Sequence, residues 1–180
     1  MGRIVVGVDA SPEARRALAW AAAEARLHQA VLQVVHAYHS KELAARYYFP
    51  SEHAAPGTAG AVAGDASQQE ITASLHDQAA LQEAFHSRAE QLVAALLGEL
   101  GGTVSGVQVQ RTVIEDRHPA EALVKLSADA DLLVVGSRGR GGFAELLLGS
   151  VSHAVVLHAL CPVVVVPSRR DELGSEQPSR

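Results

Sequence analysis

The chain has 180 residues and a formal net charge of −5; 48% of its residues are hydrophobic and only 4% are aromatic. This length fits one domain whose core is built mainly from aliphatic side chains. The negative charge argues against nucleic acid and membrane surfaces as partners, although a small nucleotide needs only a local positive site.

Two further features of the sequence bear on location. No apolar run approaches the roughly 20 residues that a membrane-spanning helix needs, and no secretory signal pattern follows Arg3. Cys161 is the single cysteine, so an intrachain disulfide is excluded, which fits a reducing compartment. We therefore expect a cytoplasmic protein.

Short runs rich in β-branched residues predict five strands, in chain order, at residues 3–8, 31–37, 104–113, 131–135 and 162–166. Most of these runs are nearly continuous, as parallel strands covered on both faces require. The third run differs, because Val107 and Val109 alternate with Gln108 and Gln110. That alternation favours a position near an edge of the sheet.

Helical patterns fill the intervals between these runs. Ser11, Pro12 and Glu13 form a strong helix start, with a capping oxygen, a first-turn proline and an acid that the helix dipole favours. The apolar positions that follow have helical spacing, and their small side chains let the helix lie close to a sheet: Ala14, Ala17, Leu18, Ala21 and Ala25. Three further helices are predicted, at residues 81–100, from Pro119 onward and at 151–159.

The predicted order of elements is β-α-β-α-β-α-β-α-β. Right-handed crossovers with helices on both faces give a three-layer α/β/α fold around an open, doubly wound, five-stranded parallel sheet. We assign residues 1–168 to one domain with a loop insertion at 40–74, and residues 169–180 to a polar tail. In such a sheet, ligands bind beyond the carboxyl ends of the strands where the strand order reverses.

The glycine-rich stretch after the fourth strand is the most informative motif of the chain. Gly136 and Gly139 follow that strand, and nine residues later Gly149 and Ser150 precede the last helix. Small residues there let backbone N–H groups approach an anion, and the helix N-terminus adds unpaired N–H groups and partial positive charge. The motif therefore predicts a phosphate-bearing ligand at this turn.

Two other strand ends converge on this turn if the strand order is 3-2-1-4-5. Asp9 follows the first strand and Ala37 ends the second. The Asp9 carboxylate either accepts hydrogen bonds from ribose hydroxyls or holds a metal ion beside phosphates, or it caps the helix that starts at Ser11. Ser150 and Ser152 either donate their hydroxyls to phosphate or cap the last helix, and the two roles are compatible.

The remaining polar candidates have weaker patterns. Arg138 and Arg140 lie in the loop, where each is either a phosphate partner or a solvated side chain. His36 and His39 form a sparse pattern without an acid or cysteine cluster, so no metal site is assigned to them. Cys161 is expected to be a small buried hydrophobe.

Missing motifs narrow the function further. No Gly-Lys-Ser/Thr follows a glycine-rich loop, no Gly-x-Ser-x-Gly elbow or zinc spacing occurs, and the first turn lacks the Gly-x-Gly-x-x-Gly fingerprint. These absences exclude a P-loop enzyme and disfavour a dinucleotide-dependent dehydrogenase.

The glycine signature stands in order with three other segments, at residues 4–11 (IVVGVDAS), 119–121 (PAE) and 161–167 (CPVVVVP). With these segments the chain resembles the universal stress protein family over residues 2–168. The resemblance implies a sheet of order 3-2-1-4-5 and membership of the ATP-binding branch, with ATP, alone or with Mg²⁺, as the ligand. It also implies a homodimer that pairs the last strands at 163–166, and an exposed apolar edge strand does tend to recruit a partner.

The resemblance also implies a set of contacts when the family's site is carried over position by position. Asp9 contacts the nucleoside, while Gly7 and Ala37 line the adenine and ribose pocket. The remaining contacts, to ribose and phosphates, fall on Val135, Gly136, Arg138, Gly139, Gly149, Ser150, Val151 and Ser152.

Three functions follow from these observations. The first is a nucleotide-dependent stress-response switch or sensor, with at most slow ATP hydrolysis, because neither a P-loop lysine nor a candidate general base is found. The second is a scaffold of the same fold that does not depend on nucleotide and contacts its partner through residues 40–74. The third is a hydrolase that uses metal-bound water near Asp9.

Overall fold

The computed structural model describes residues 2–39, 68–139 and 147–167, with residues 68–78 described by their backbone alone. The elements in chain order are β1 (Arg3–Gly7), α1 (Pro12–Leu27), β2 (Val31–Tyr38), α2 (Gln68–Leu100), a 3₁₀ turn (Gly101–Val104), β3 (Val109–Glu115), α3 (Pro119–Ser127), β4 (Leu132–Gly136), α4 (Ser150–His158) and β5 (Val163–Val166). The predicted alternation of strands and helices is confirmed.

The five strands form one parallel sheet in the order β3-β2-β1-β4-β5. Val6 of β1 pairs with Val34 of β2 on one side and with Val134 of β4 on the other. The chain adds β2 and β3 on one side of β1 and then β4 and β5 on its other side. The strand order therefore reverses between β1 and β4. The predicted fold and strand order are therefore confirmed.

Each face of the sheet carries its own hydrophobic core, because successive side chains of a strand point to opposite faces. Ile4 and Val6 belong to the core that includes α1 and the C-terminal half of α2, whereas Val5 belongs to the core that includes α3 and α4. Val5 and Val6 have no exposed surface. This double coverage explains why β1 reads as a continuous apolar run.

Helix α1 begins where the sequence predicts. Ser11 is extended (φ −74°, ψ 156°), and its Oγ accepts a hydrogen bond from the Ala14 N–H at 3.1 Å. Pro12 is the first helical residue. The buried face contains every apolar position named from the sequence, together with Ala22.

The third strand begins later than predicted. Residues 101–104 form the 3₁₀ turn and β3 starts at Val109, so the strand predicted from residue 104 is wrong for its first five residues. Gly101 and Gly106 have φ values of 46° and 77°, which break an extended run. Val107 instead packs against the core around α1. The predicted edge position of this strand is confirmed.

Helix α2 begins at Gln68, so its predicted start at residue 81 is wrong, and it includes residues 68–74 of the predicted loop insertion. Neither glycine nor proline stands between Gln68 and Leu97, so nothing in this stretch interrupts a helix. The helix has 33 residues and is roughly 50 Å long. Residues 40–67 of the predicted insertion and the predicted tail at 169–180 lie outside the described residues.

Candidate functional site

The candidate site lies beyond the carboxyl ends of β1 and β4, where the strand order reverses. Gly7 and Gly136 end these two strands. A Cβ at Gly7 would lie 2.7 Å from Leu123 Cδ1, and a Cβ at Gly136 would lie 2.8 Å from Glu13 Cβ. Both glycines therefore let helices pack closely against strand ends, which brings the start of α1 next to the end of β4.

Asp9 organises the turn between β1 and α1. Its Oδ1 accepts hydrogen bonds from the Ser11 N–H, at 2.9 Å, and from the Ser11 hydroxyl. Ser11 in turn caps α1, so the helix-capping role considered for Asp9 is present through Ser11. The side chain is nevertheless half-buried rather than enclosed, so capping does not use up its capacity to accept hydrogen bonds.

The turn after β4 reaches the Asp9 carboxylate directly. A Cβ at Gly139 would lie 2.8 Å from Asp9 Oδ2. A Cβ at Gly149 would lie 3.7 Å from the Gly139 nitrogen and 3.4 Å from Arg138 Cα. The structure thus brings together Asp9, Gly139 and Gly149, which the sequence separates by up to 140 residues.

Hydrogen bonds close the base of the β4–α4 turn. The Ser137 N–H donates to the Val166 carbonyl at 2.8 Å, and the Gly149 N–H donates to the Ser137 carbonyl at 2.7 Å. The Ser152 hydroxyl lies 2.8 Å from the Ser137 carbonyl and 3.0 Å from the Gly149 carbonyl. Ser152 is 2% exposed, so this hydroxyl braces the turn from inside. Ser137 was not among the contact residues predicted from the sequence.

The start of α4 is built differently from the start of α1. Gly149 is the N-cap residue (φ −76°, ψ 169°), and no side chain among the described residues caps the helix. The N–H groups of Ser150, Val151 and Ser152 occupy the first turn, where helix geometry supplies no acceptor. Together with the helix dipole, this end of α4 favours an anion.

Arg138 adds a positive charge beside this helix start. It is half-buried, and its Nε is buried without a hydrogen-bond partner in the described part of the chain. A buried donor left unpaired is costly, so an acceptor supplied from outside the described residues would stabilise it. Arg140, the other loop arginine, lies outside the described residues.

Val135 and Ala37, two of the predicted contact residues, lie within strands of the sheet and not in the turns. Val135 is 3% exposed and packs in the core with Leu133 and Val155, so its side chain serves the core and only its backbone lies at the strand end. Ala37 lies near the end of β2, in register with Ile114 of β3. The placement of Ala37 at the same edge of the sheet agrees with its predicted convergence on the site.

One ion pair beside the α1 start was not anticipated from the sequence. Arg15 donates from Nε to Glu99 Oε2 at 2.7 Å and from Nη1 to the Ala10 carbonyl at 2.8 Å. This hydrogen bond from Arg15 lowers the pKa of the Glu99 carboxyl, and the same bond raises the pKa of Arg15. The pair ties the turn after Asp9 to the C-terminal end of α2.

The model of the universal stress protein family matches residues 1–167. The chain belongs to the universal stress protein family. The family assignment predicted from the sequence is therefore confirmed. The glycine signature of the β4–α4 turn lies at the end of β4, where the strand order reverses.

Curated relatives agree with this assignment. Universal stress protein Rv2005c of Mycobacterium tuberculosis (strain ATCC 25618 / H37Rv) is 37% identical over 162 residues, which are 90% of this chain and 44% of the relative. A universal stress protein of Thermus aquaticus, described as lying in the QAH/OAS sulfhydrylase 3′ region, is 32% identical over 165 residues, which are 91% of this chain and 96% of the relative. The chain thus spans less than half the length of the first relative and nearly all of the second.

Solved structures share the fold. A universal stress protein from Archaeoglobus fulgidus, solved in complex with dAMP, superposes with a TM-score of 0.54 at 22% sequence identity and covers 92% of this chain and 98% of its own. Among the residues that the structure describes, no helix is both long and apolar enough to cross a membrane. Within the same residues, no group of three or more histidine, cysteine, aspartate or glutamate side chains is arranged to hold a metal ion.

Proposed function

We propose that this universal stress protein binds an adenine nucleotide, ATP being the expected form, between the β1–α1 and β4–α4 turns. The observation that carries the proposal is the uncapped start of α4, which lies against the Gly139–Asp9 contact. A polyphosphate supplies the acceptors that the first turn of α4 lacks. The relative from Archaeoglobus fulgidus, which binds dAMP, supports an adenine nucleotide as the ligand class.

The site offers each part of a nucleotide a different environment. The N–H groups of Ser150, Val151 and Ser152 and the unpaired Nε of Arg138 suit phosphate oxygens, because charge-assisted hydrogen bonds are the strong ones. The Asp9 carboxylate suits ribose hydroxyls, which donate to it. The base is expected at the neighbouring strand end, beside Ala37, whereas the space next to Gly7 is filled by Leu123. Mg²⁺, where it accompanies ATP, is held chiefly by phosphates and water.

Calorimetric titration of ATP, with and without Mg²⁺, tests this site. Gly139→Ala forces the Asp9 carboxylate away from the loop, since the new Cβ would lie 2.8 Å from Oδ2. We expect affinity to fall about tenfold, as for the loss of one charge-assisted hydrogen bond. Ser150→Ala should have a smaller effect in the same direction. Gly98→Ala is the matched control, because a Cβ there meets nothing within 4 Å. Unchanged affinity in both site variants rejects the site.

Binding that joins two separate turns supports the role of a nucleotide-dependent switch. A ligand that contacts both the β1–α1 and β4–α4 turns stabilises the arrangement in which they lie together. Hydrogen exchange should therefore slow at both turns when ATP is added. Slowing at one turn alone would contradict a switch that couples the two.

Hydrolysis is expected to be slow at most. The Asp9 Oδ1 already accepts two hydrogen bonds from Ser11, which ties this carboxylate to the helix cap and makes it a poor base. A multiple-turnover phosphate release that Asp9→Ala abolishes would instead support the hydrolase. The scaffold function rests on residues 40–74, of which only 68–74 are described, and it stays a prediction, as does the cytoplasmic location.

We further propose that the chain forms a homodimer through β5. All four valines of β5 are half-buried at the edge of the sheet. Beside this edge, Val156, Leu157 and Leu160 are 49%, 62% and 72% exposed. The opposite edge strand, β3, instead exposes polar side chains such as Gln110 and Arg111. Polar edges discourage strand pairing and apolar ones recruit it.

Sedimentation measurements of Leu160→Glu test the dimer. A charge beside β5 should shift the protein to the monomer at concentrations at which the unmodified chain is dimeric. Gln110→Glu places the same charge at the opposite edge of the sheet and should leave the dimer intact. A monomeric unmodified chain, or equal effects of both changes, would reject β5 as the interface.

A further inference from the structure

His36 makes one hydrogen bond that the proposed nucleotide site does not explain. It lies in β2, half-buried, and its Nδ1 is 2.8 Å from the carbonyl oxygen of Val8. A carbonyl oxygen only accepts hydrogen bonds, so Nδ1 must carry a proton in this contact. The interaction therefore fixes both the orientation of the ring and the site of one of its protons.

The acceptor, Val8, is the last residue before Asp9. Its side chain is buried, with 6% of the residue exposed, and it stands one position beyond the end of β1. The Val8 N–H donates to the Val35 carbonyl at 2.8 Å. Two consecutive residues of β2, Val35 and His36, thus hold both backbone polar groups of Val8.

Holding the Val8 carbonyl also holds Asp9. The peptide group that links Val8 to Asp9 is planar, so fixing the Val8 oxygen fixes the direction of the Asp9 N–H and the position of its Cα. From that Cα, the Asp9 carboxylate reaches Ser11 on one side and faces Gly139 on the other. A rotation of this peptide group would move the carboxylate out of both contacts.

We propose that His36 is a positioning residue for nucleotide binding, which acts by anchoring the Val8–Asp9 peptide. The proposal deepens the proposed function and rests on it for its binding readout. Without the imidazole donor, the buried Val8 carbonyl lacks its partner and turns toward water, because an unsatisfied buried acceptor is costly. His36 itself contacts Val8 and not the ligand in this account.

Two variants separate this role from simple packing. His36→Asn keeps a side-chain N–H close to the place of Nδ1, whereas His36→Leu keeps bulk and removes the donor. We expect ATP affinity to fall about tenfold in His36→Leu, the usual scale for an unpaired buried carbonyl, and to recover largely in His36→Asn. A His36→Leu protein that binds ATP like the unmodified chain overturns the proposal. So does a His36→Asn protein that binds as weakly as His36→Leu.

A double-mutant cycle with Asp9→Ala tests whether His36 acts through Asp9. If it does, adding His36→Leu to Asp9→Ala costs little further affinity, because the carboxylate it positions is already gone. Full additivity of the two losses would contradict the proposal. Melting temperatures of all variants, measured alongside, show whether each protein is folded under the conditions of the titration.

Nitrogen NMR of the unmodified full chain gives a readout that needs neither ligand nor substitution. The His36 ring should show a protonated Nδ1 throughout, and the Asp9 and Ser11 amide signals should shift in His36→Leu but not in His36→Asn. A neutral ring with its proton on Nε2 overturns the proposal. If the unmodified chain fails to bind ATP while these NMR results hold, the proposed function fails and the positioning of Asp9 by His36 stands.

Discussion

The helices α1 and α4 start at the same edge of the sheet, yet their first turns are built in opposite ways. In α1, Ser11 caps the helix, Asp9 holds Ser11, and Pro12 removes one N–H that would need a partner. In α4, Gly149 offers no side chain, and no described side chain caps the first-turn N–H groups. The first start is completed by the protein's own residues, and the second is the proposed phosphate site.

Under the proposed function, the two helix starts would serve a ligand in different ways. Asp9 does two things at the α1 start: it supports the cap and it faces Gly139 of the other turn. Among the described residues, the α4 start has no comparable partner, and the nearby Arg138 has a buried Nε without an acceptor. Changes that make the two starts alike should therefore affect ligand binding more than folding.

Gly149→Asp is expected to have the largest effect on binding. The backbone at Gly149 suits any residue, and an added Cβ meets its neighbours only at ordinary contact distances of 3.4 Å or more. Aspartate would cap α4 and place a negative charge where the phosphates are expected. We expect ATP affinity to fall roughly 100-fold, about 2.7 kcal/mol, while the melting temperature stays level or rises.

Gly149→Ala is the matched control for that change, since it adds the Cβ without a cap or a charge. Calorimetry should show nearly unchanged affinity for this variant. If alanine weakens binding as much as aspartate, the added Cβ and not the cap or the charge causes the loss. That result would contradict the proposal that the uncapped start of α4 binds the phosphates.

Gly136→Ala should give the largest loss of stability. Its Cβ would lie 2.8 Å from Glu13 Cβ and 2.9 Å from the Glu13 carbonyl carbon, which belongs to the backbone of α1 and cannot easily move. Such overpacking costs about 1–3 kcal/mol of unfolding free energy. Urea unfolding measures this loss, and Gly98→Ala, which meets no neighbour, should by comparison be neutral or stabilising. Equal stabilities of the two variants would show that α1 and β4 are not in close contact.

Comparing Ser152→Ala with Ser150→Ala should show that the buried hydroxyl of the β4–α4 turn contributes more to stability than the exposed one. The buried Ser152 hydroxyl contacts two carbonyls, so its loss should cost about 1 kcal/mol in urea unfolding. Ser150 is exposed, and its change should stay within about 0.5 kcal/mol. A larger stability loss at Ser150 than at Ser152 would reverse the roles assigned to these two hydroxyls.

The Arg15–Glu99 pair should produce the smallest effect, visible only in acid. The hydrogen bond from Arg15 lowers the pKa of Glu99, so the pair stabilises the fold above the ordinary glutamate pKa of 4.5. That contribution is lost as the pH falls through the lowered pKa of the folded state. In urea titrations, the difference between Glu99→Gln and the unmodified chain should be constant near neutral pH and shrink below pH 4.5. A difference that grows in acid would contradict the lowered pKa.

Local patterns were enough to predict the order of the elements and the starts of α1 and α4, but not the start of α2, which begins 13 residues before the predicted residue 81. The Ser11–Pro12 start, the alanine face of α1 and the apolar parallel strands all depend on residues close together in the chain. The start of β3 was predicted five residues too early, because apolar periodicity at Val104 and Val107 does not distinguish a strand from a packed turn. Only the φ values of Gly101 and Gly106 reveal the turn.

The internal construction of the site could not be predicted from such patterns. The contact of Gly139 with Asp9, the packing of Gly136 on Glu13 and the burial of Val135 each depend on which strands become neighbours. The hydrogen bond from His36 to the Val8 carbonyl likewise joins residues 28 apart, one in β2 and the other just beyond the end of β1. A glycine in a sequence motif does not show whether it serves a ligand or a helix packed against it.

An NMR titration of the unmodified chain with ATP shows whether the nucleotide binds at the start of α4. If nucleotide completes the α4 start, the amide signals of Ser150, Val151 and Ser152 should shift most, together with that of Gly139. The amide of Ala14, already bonded to the Ser11 cap, should shift little. Large shifts confined to α1, or no shifts at millimolar ATP, would contradict the account.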